Sequence, residues 1–207
     1  MNKKRNLYIL ILLIIAFLAI AIAVKSQSNF IVGLDNNVAT FTEKIHSPAL
    51  DGMILSLTKL GNTYETIFIF AIFALFLILK RKKYLFYVFT AVSILGVALN
   101  EIIKLLVERA RPISHLLLEN DFSFPSGHAT ISVIFLLSSI FLIAPNIKNR
   151  FLKIIFIIIS SIVFSLVALS RIYLSVHFAS DVIAGLLLGS VCFLLAKIIT
   201  SKFSNVV

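Results

Sequence analysis

Six apolar runs dominate the chain, and each is long enough to cross the hydrocarbon core of a bilayer as a helix, which takes roughly 20 residues. Because 60% of the 207 residues are hydrophobic and 14% are charged, a soluble domain of this size could not bury the apolar material. We therefore predict an all-α, polytopic membrane protein with one domain over residues 1–207. The predicted spans are 7–24, 61–79, 84–103, 126–144, 151–169 and 182–199.

The positions of the basic residues indicate how the spans are oriented. A net charge of +10 on a soluble chain would suggest nucleic acid as a partner. Here twelve basic residues lie on alternate sides of successive spans, hence on one side of the membrane, and no acidic residue shares that side. We predict that this side, with both termini, is cytoplasmic, and that there is no nucleic-acid partner. The twelve are Lys3, Lys4, Arg5, Lys80, Arg81, Lys82, Lys83, Lys148, Arg150, Lys153, Lys197 and Lys202.

The first span could also be a cleavable signal peptide, because Ala21-Ile22-Ala23 resembles a cleavage site. Its apolar run exceeds the roughly 7 to 15 residues of a signal core, so we predict a retained helix. The single cysteine, Cys192, falls in the sixth span and excludes an intrachain disulfide.

The opposite, outer side collects all nine acidic residues and all four histidines, so function is expected there. The longest outer segment, 25–60, has apolar residues at helical spacing before and after Pro48. We expect two helices, the first with Asp35 as its N-cap. The helices would lie in the interface or cover the membrane-facing mouth of a site, although packing alone also explains them. His46 is expected to be a surface histidine.

Three polar blocks at the outer ends of spans form the candidate site, because ionisable groups there are costly without partners. In the first block, Lys104 and Arg111 are seven residues apart. If the helix continues until Pro112, both cations project from one face. An ion pair between Lys104 and Glu108, with the arginines reaching lipid headgroups, is the alternative.

The second block, Phe124-Pro125-Ser126-Gly127-His128, opens the fourth span. Backbone N–H groups at a helix N-terminus favour an anion, and a phosphate would fit. His128 could carry a proton to a leaving group, because imidazole titrates near neutrality. The alternative is an N-capping serine followed by a histidine that faces the headgroups.

The third block, residues 170–181, joins the last two spans. If it is helical, Asp181 lies one turn from His177 and can hold one imidazole N–H, which makes the other ring nitrogen a nucleophile. Arg171 adds planar donors suited to phosphate oxygens. Taken alone, a histidine beside a helix-start aspartate explains the pattern equally. All three blocks share one side of the membrane, so together they can supply the groups for phosphoryl transfer without a metal.

The three blocks read K-x6-R-P, P-S-G-H and S-R-x5-H-x3-D, in that order. The chain thereby resembles the type 2 phosphatidic acid phosphatase superfamily, whose signature it matches without substitution and whose bacterial members have the same six-span layout. The resemblance implies that His177 forms a phosphohistidine, that Asp181 orients it, and that His128 protonates the leaving group and later activates water. It also implies no cofactor and no metal, and the following phosphate-binding residues: Lys104, Arg111, Ser126, Gly127 and Arg171.

The implied substrate is a lipid phosphate, with the active site facing outward from the cell membrane. Undecaprenyl diphosphate ranks first, because its pyrophosphate is released on that side; phosphatidylglycerophosphate and phosphatidate are alternatives. The same intermediate could also pass its phosphate to another lipid. A catalytically silent transporter or scaffold for anionic lipids is the alternative of another class, against which the intact histidines argue. No role follows from the signature for Arg109, His115, Glu119 and Asp121.

Overall fold

The computed structural model describes residues 3–201, and these residues form helices and connections without a β-strand. Lys202, predicted to be cytoplasmic, lies outside the described residues. A π-helical turn, Ser139–Ile143, and a 3-10 turn, Ala144–Asn146, extend the sixth helix. The α-helices are α1 Lys3–Lys25, α2 Asn29–Lys44, α3 Pro48–Thr58, α4 Thr63–Leu79, α5 Lys83–Val107, α6 Gly127–Ser138, α7 Arg150–Tyr173 and α8 Ala179–Ser201.

Five helices of the described residues are long and apolar enough to cross a membrane: α1, α5, α6 with its two turns, α7 and α8. The fourth helix has 17 residues. It follows α3 at an angle of 57°, and this bent pair is a sixth candidate if it counts as one broken span. The predicted all-helical membrane fold is confirmed, with five to six candidate spans.

Helices α6 and α8 form the centre of the bundle. The last helix packs against α1, α2, α5, α6 and α7. Two of its glycines face α6 so closely that an added Cβ would lie 2.5 Å from a backbone oxygen, that of Ser126 for Gly185 and that of Thr130 for Gly189. Glycine is needed at both positions, because small residues let membrane helices approach closely.

One end of the bundle gathers all three sequence blocks. Helices α4, α6 and α8 begin there, whereas α5 and α7 end there. The backbone N–H of Ser126 donates to the backbone oxygen of Asp181 at 3.0 Å, which ties the start of α6 to the start of α8. Residues far apart in the sequence therefore meet at this end.

Helices α5 and α7 extend a few residues beyond the predicted spans, but neither continues through its block as the helical interpretation of the blocks required. Glu108 adopts a left-handed conformation with φ of 55° and ends α5, so the predicted helix through Arg111 is wrong. Helix α7 ends at Tyr173, and Ser175 is again left-handed with φ of 51°, so His177 lies in a connection and not on a helix. A left-handed residue turns the chain away from the helix axis, and neither end has the glycine that usually marks such a stop.

Segment 25–60 contains the two expected helices, α2 and α3, but Asp35 is not an N-cap. Helix α2 begins six residues earlier, where the side chain of Ser28 accepts the N–H of Ile31 at 3.4 Å. Asp35 instead lies within α2 and is only 3% exposed. Asp35, a polar residue within the apolar pattern, therefore makes a buried contact and does not mark the start of a helix.

Candidate active site

A cavity of about 610 Å³ lies at this end of the bundle. The first block contributes Lys104 and Arg111 to its lining, the second Gly127 and His128, and the third Arg171 and His177. The corner between α3 and α4 closes it with Gly61 and Asn62. The structure thus brings these residues together, whereas Ser126 and Asp181 lie behind the lining and are fully buried.

Carboxylates from the connection between α5 and α6 pair with the cations of the cavity. Asp121 pairs with Lys104, and its other oxygen accepts from Arg111 at 2.5 Å. Glu119 pairs with Arg171. Burial alone would raise the pKa of Asp121, but the hydrogen bonds from Lys104 and Arg111 outweigh it and lower the pKa to about 2. Carboxylate oxygens therefore accept the hydrogen bonds of the cavity's cations, and another anion could take their place.

The ion pair considered for Lys104 in the sequence is wrong. Its ammonium group lies 3.3 Å from the carboxylate of Glu101 and also contacts Asp121, and among the described residues it makes no pair with Glu108. The cause is the left-handed conformation of Glu108, which takes that residue out of the helix.

Arg171 is 0% exposed, although its guanidinium lines the cavity. One nitrogen donates to Oγ1 of Thr58 at 2.9 Å and another pairs with Glu119, while Nε has no hydrogen-bond partner among the described residues. Behind it, Ser170 donates to the backbone oxygen of Val167 at 2.7 Å. A buried donor without an acceptor is costly, and a bound anion at the cavity wall would supply the acceptor.

His177 is 3% exposed and has a defined environment at each ring nitrogen. Its Nε2 lies 3.0 Å from the guanidinium of Arg111. A guanidinium can only donate, so Nε2 carries the lone pair and the proton of the neutral ring is on Nδ1. That nitrogen faces Oδ2 of Asp181 at 3.6 Å, too long for a hydrogen bond; such contacts often shorten when substrate binds.

The surroundings of His177 keep its ring neutral. Burial lowers the pKa of the imidazole, and Arg111 and Arg171 lower it further, whereas Asp181 acts in the opposite direction. An imidazole with a lowered pKa keeps its lone pair near neutral pH. The arrangement therefore suits a nucleophile.

His128 lies in the first turn of α6, and its Nε2 is 3.2 Å from Oδ1 of Asn62. A Cβ added to Gly61 would lie 2.2 Å from Cδ2 of His128, so only glycine allows this close approach. Asn62 was missed from the sequence, where the turn before α4 gave no sign of contact with the second block.

The start of α6 presents backbone donors to the cavity. The hydroxyl of Ser126 caps the helix by accepting the N–H of Ala129 at 3.4 Å. The preceding N–H groups, those of Gly127 and His128, have no acceptor within the helix. Since Gly127 lines the cavity, these donors and the positive end of the helix dipole can act on an anion there.

Two further histidines lie elsewhere. His115 is exposed on the α5–α6 connection and does not line the cavity. His46, expected to be a surface histidine, is partly exposed at 27%; its Nδ1 lies 2.8 Å from Asp51, and its ring packs on that of Tyr173 at 4.3 Å. Within residues 3–201, no three His, Cys, Asp or Glu side chains are grouped so as to hold a metal ion.

Sequence comparison places this site among known proteins. The PAP2 superfamily profile matches residues 83–204. Phosphatidylglycerophosphatase B of Bacillus subtilis (strain 168) is 29% identical over 188 residues, which are 89% of this chain and 91% of that protein. An undecaprenyl-diphosphatase of Sulfolobus acidocaldarius is 32% identical over 203 residues, 90% of this chain and 88% of that protein.

Solved structures agree. The crystal structure of a transmembrane PAP2-type phosphatidylglycerolphosphate phosphatase from Bacillus subtilis has a TM-score of 0.81 at 29% identity, covering 95% of this chain and 98% of that one. Aquifex aeolicus LpxE has a TM-score of 0.58 at 23% identity over 79% of this chain and 94% of that one, which is a likeness of fold. The resemblance predicted from the three blocks is confirmed, and the chain belongs to the PAP2 superfamily.

Proposed function

We propose that the protein hydrolyses a membrane lipid phosphate or diphosphate at the outer face of the cell membrane, through a phosphohistidine at His177 and without a metal ion. One observation carries the proposal: Lys104, Arg111 and Arg171 converge on the cavity that Nε2 of His177 faces. The chain is a lipid phosphatase of the PAP2 type, since the curated relatives are named phosphatases.

The proposed reaction has two steps. Nε2 of His177 attacks phosphorus with its lone pair, the bond to the leaving oxygen breaks, and His128 gives that oxygen a proton. His128 then takes a proton from water, whose oxygen attacks phosphorus and releases Nε2. The three cations and the N-terminus of α6 stabilise the charge on the phosphate oxygens in both transition states.

Binding of the phosphate requires an exchange of anions. Asp121 and Glu119 hold the cations, and the carboxylate side chain of Asp121 is 47% exposed while that of Glu119 is 29% exposed. A terminal phosphate brings its oxygens to all three cations from one centre, and one of them would supply an acceptor for the unpaired Nε of Arg171. Both carboxylates can turn to water when the phosphate takes their place.

A route for the lipid chain adjoins the cavity. A second cavity of about 400 Å³ lies between α4, α5 and α6, and shares Thr66, Ile67, Val97 and Ile131 with the first. Its further lining is mostly apolar, with Phe70, Ile94, Ala98 and Phe135. A lipid could keep its chain there, in the hydrocarbon layer, while its phosphate reaches His177.

Undecaprenyl diphosphate is the substrate we propose first, because its pyrophosphate becomes available at the outer face and one relative carries that name. Phosphatidylglycerophosphate is the second candidate, favoured by the name of the Bacillus subtilis protein with the TM-score of 0.81. Phosphatidate would present a similar terminal phosphate. All three fit a cavity that recognises the phosphate and leaves the chain in lipid.

The test is phosphate release by purified protein in detergent, with these three lipids compared as kcat/KM in the presence of a chelator. We expect turnover of at least one lipid, and its loss in His177→Ala with the exposed His115→Ala as the matched control. An acid-labile phosphoenzyme should accumulate on rapid quenching. Absence of phosphate release from all three would favour the transporter or scaffold, and undiminished turnover by His177→Ala would overturn the nucleophile.

The outward orientation has its own test. Cys192 is buried, so a new cysteine can be labelled selectively in intact cells with a membrane-impermeant maleimide. We expect labelling of His115→Cys and protection of Lys82→Cys until the membrane is permeabilised. The reverse pattern would place the cavity at the cytoplasmic face.

A further inference from the structure

Arg109 and Asp35 do not line the cavity, and neither is one of the fixed positions of the three signature blocks. Arg109 nevertheless contacts Asp181, and Asp35 contacts Arg109. We propose that both are positioning residues of the phosphatase reaction: Arg109 fixes the carboxylate of Asp181, and Asp35 offsets the charge of Arg109. Asp181 then keeps a net negative charge available to His177. The inference rests on the proposed role of His177 as the nucleophile.

Four side chains hold the guanidinium of Arg109. One of its nitrogens donates to Oδ1 of Asp181 at 2.6 Å and to the hydroxyl of Ser180 at 2.7 Å, and the other donates to Oδ2 of Asp35 at 2.7 Å. The guanidinium also lies 4.0 Å from the centre of the Phe178 ring. A planar guanidinium with two carboxylate partners and an aromatic face has one orientation.

This arrangement directs Oδ2 of Asp181 toward Nδ1 of His177. Oδ1 is taken by Arg109, whereas Oδ2 accepts the backbone N–H of Phe178 at 2.9 Å and faces Nδ1 of His177 at 3.6 Å. Asp181 is 0% exposed, so water does not compete for either oxygen. Without Arg109, Oδ1 would lose its partner, and the N–H of Phe178 would remain as the hydrogen bond that the structure gives to this carboxylate.

Asp35 changes the charge of the group. Arg109 and Asp181 alone would be neutral as a pair, but with Asp35 the three side chains carry a net charge of one negative unit. Asp35 is 3% exposed, and its oxygens also accept the N–H and the hydroxyl of Ser180 at 2.9 and 2.7 Å. Arg109 is the cation with which it pairs in the described residues, and a buried carboxylate needs such a partner.

The sign of that net charge matters because of the groups around His177. Arg111 and Arg171 face it as cations, and His128 lies across the cavity. Asp181 is the facing group that favours a positive ring, which forms when Nε2 bonds to phosphorus. An additional negative charge behind Asp181 therefore stabilises the charge that develops on His177 during attack.

The experiment compares pH profiles of kcat and kcat/KM for four variants of the network and one control. Asp35→Asn should lower kcat by roughly 10- to 100-fold, as loss of outer-shell partners does for histidines at metal sites, with little change in KM because the phosphate-binding cations remain. The substitution should also move the acidic limb of the pH profile to lower pH by about 0.5 to 1 unit. Loss of a nearby negative charge lowers the pKa of the His177 imidazole.

The remaining variants separate charge from orientation. Asp35→Asn combined with Arg109→Gln restores the net charge, so the acidic limb should return to its wild-type position while kcat stays low. Arg109→Lys, which keeps the charge, should recover part of the activity that Arg109→Gln loses. Glu43→Gln removes an exposed charge from the same helix, α2, and is the matched control with wild-type kinetics.

Folded protein is measured for each variant by gel filtration in detergent. Variants that lose thermal stability but keep the wild-type acidic limb and kcat would overturn the proposal and leave a purely structural network. Failure of the proposed function looks different, because His177→Ala would then keep its activity. If single variants at Arg109 do not fold, the acidic limb of the pH profile of Asp35→Asn tests the proposal. An acidic limb at the wild-type pH would refute the role of Asp35.

Discussion

Arginines pair with carboxylates on both sides of His177, and the two groups differ in their surroundings. In the cavity, Arg111 and Arg171 pair with Asp121 and Glu119, whose side chains are 47% and 29% exposed. Behind the histidine, Arg109 pairs with Asp35 and Asp181, whose side chains are 2% and 0% exposed. The difference lies in the carboxylates, because the arginines are buried or nearly so in both groups: Arg111, Arg171 and Arg109 are 10%, 0% and 17% exposed.

The difference decides what each group can do. A partly exposed carboxylate is solvated by water when it leaves its arginine, so another anion can replace it at a lower cost than a fully buried carboxylate. Breaking a buried pair costs about 3 to 5 kcal/mol, because a charge is left without a partner. The cavity pairs therefore suit a site that exchanges ligands, and the Arg109 group suits a fixed support for catalysis.

The largest effect should follow removal of a cation from the exchangeable group. Arg171→Gln should reduce kcat/KM by about 10²- to 10³-fold, the cost of losing one donor to a developing oxyanion. The folded state should persist, because the released Glu119 can turn to water. Steady-state kinetics and a melting curve measure both. Arg150→Gln, an exposed arginine at the opposite end of the bundle, is the control; equal losses in the two variants would show a nonspecific effect.

An intermediate effect is expected from an anion that mimics the transition state. Orthovanadate should inhibit competitively and stabilise the protein by about 2.7 kcal/mol at a hundredfold excess over its Kd. A thermal shift in detergent measures this. Lys104→Gln should weaken the stabilisation, whereas Glu43→Gln should leave it intact. Stabilisation of equal size in Lys104→Gln would contradict binding at the cavity cations.

The smallest effect should come from removing a competing carboxylate. Asp121→Asn should lower the Ki of vanadate by about two- to fivefold, the equivalent of an exposed ion pair. The lowered pKa of Asp121, about 2, means that its pairing stabilises the fold above the unfolded pKa of 3.8 and is lost as pH falls through about 2. The ratio of Ki values should therefore stay constant from about pH 5 to 8, and a ratio that varies over this range would refute the competition.

The sequence was sufficient to predict the helical membrane fold and the convergence of the three blocks. Lys104, Arg111, His128, Arg171 and His177 were expected on one side, and they line one cavity. The reason is physical: spans alternate in direction, so blocks after the third and fifth spans and before the fourth and sixth must meet at one surface. The chemical roles of these residues stay predictions.

The support behind the site could not be predicted. Arg109 meets Asp35 across 74 positions and Asp181 across 72, and no local pattern encodes such a contact. The route of the chain was also hidden, because α5 ends at Glu108 without a glycine to announce it. After that early end, Arg109 contacts Asp181 and Arg111 contacts Nε2 of His177.

The contact of Gly185 and Gly189 with α6 has a consequence for timing. It joins the helix that carries His128 to the helix that carries Asp181, so these two are expected to move as one body. Helix α4 instead exposes Ile67, Phe68 and Ile72 at the surface of the bundle, and Ile67 also lines the apolar cavity. We expect the rates of substrate entry and product release to depend on movement of α4. Membrane fluidity would then change kcat, whereas the rate of the chemical step at His177 would stay the same.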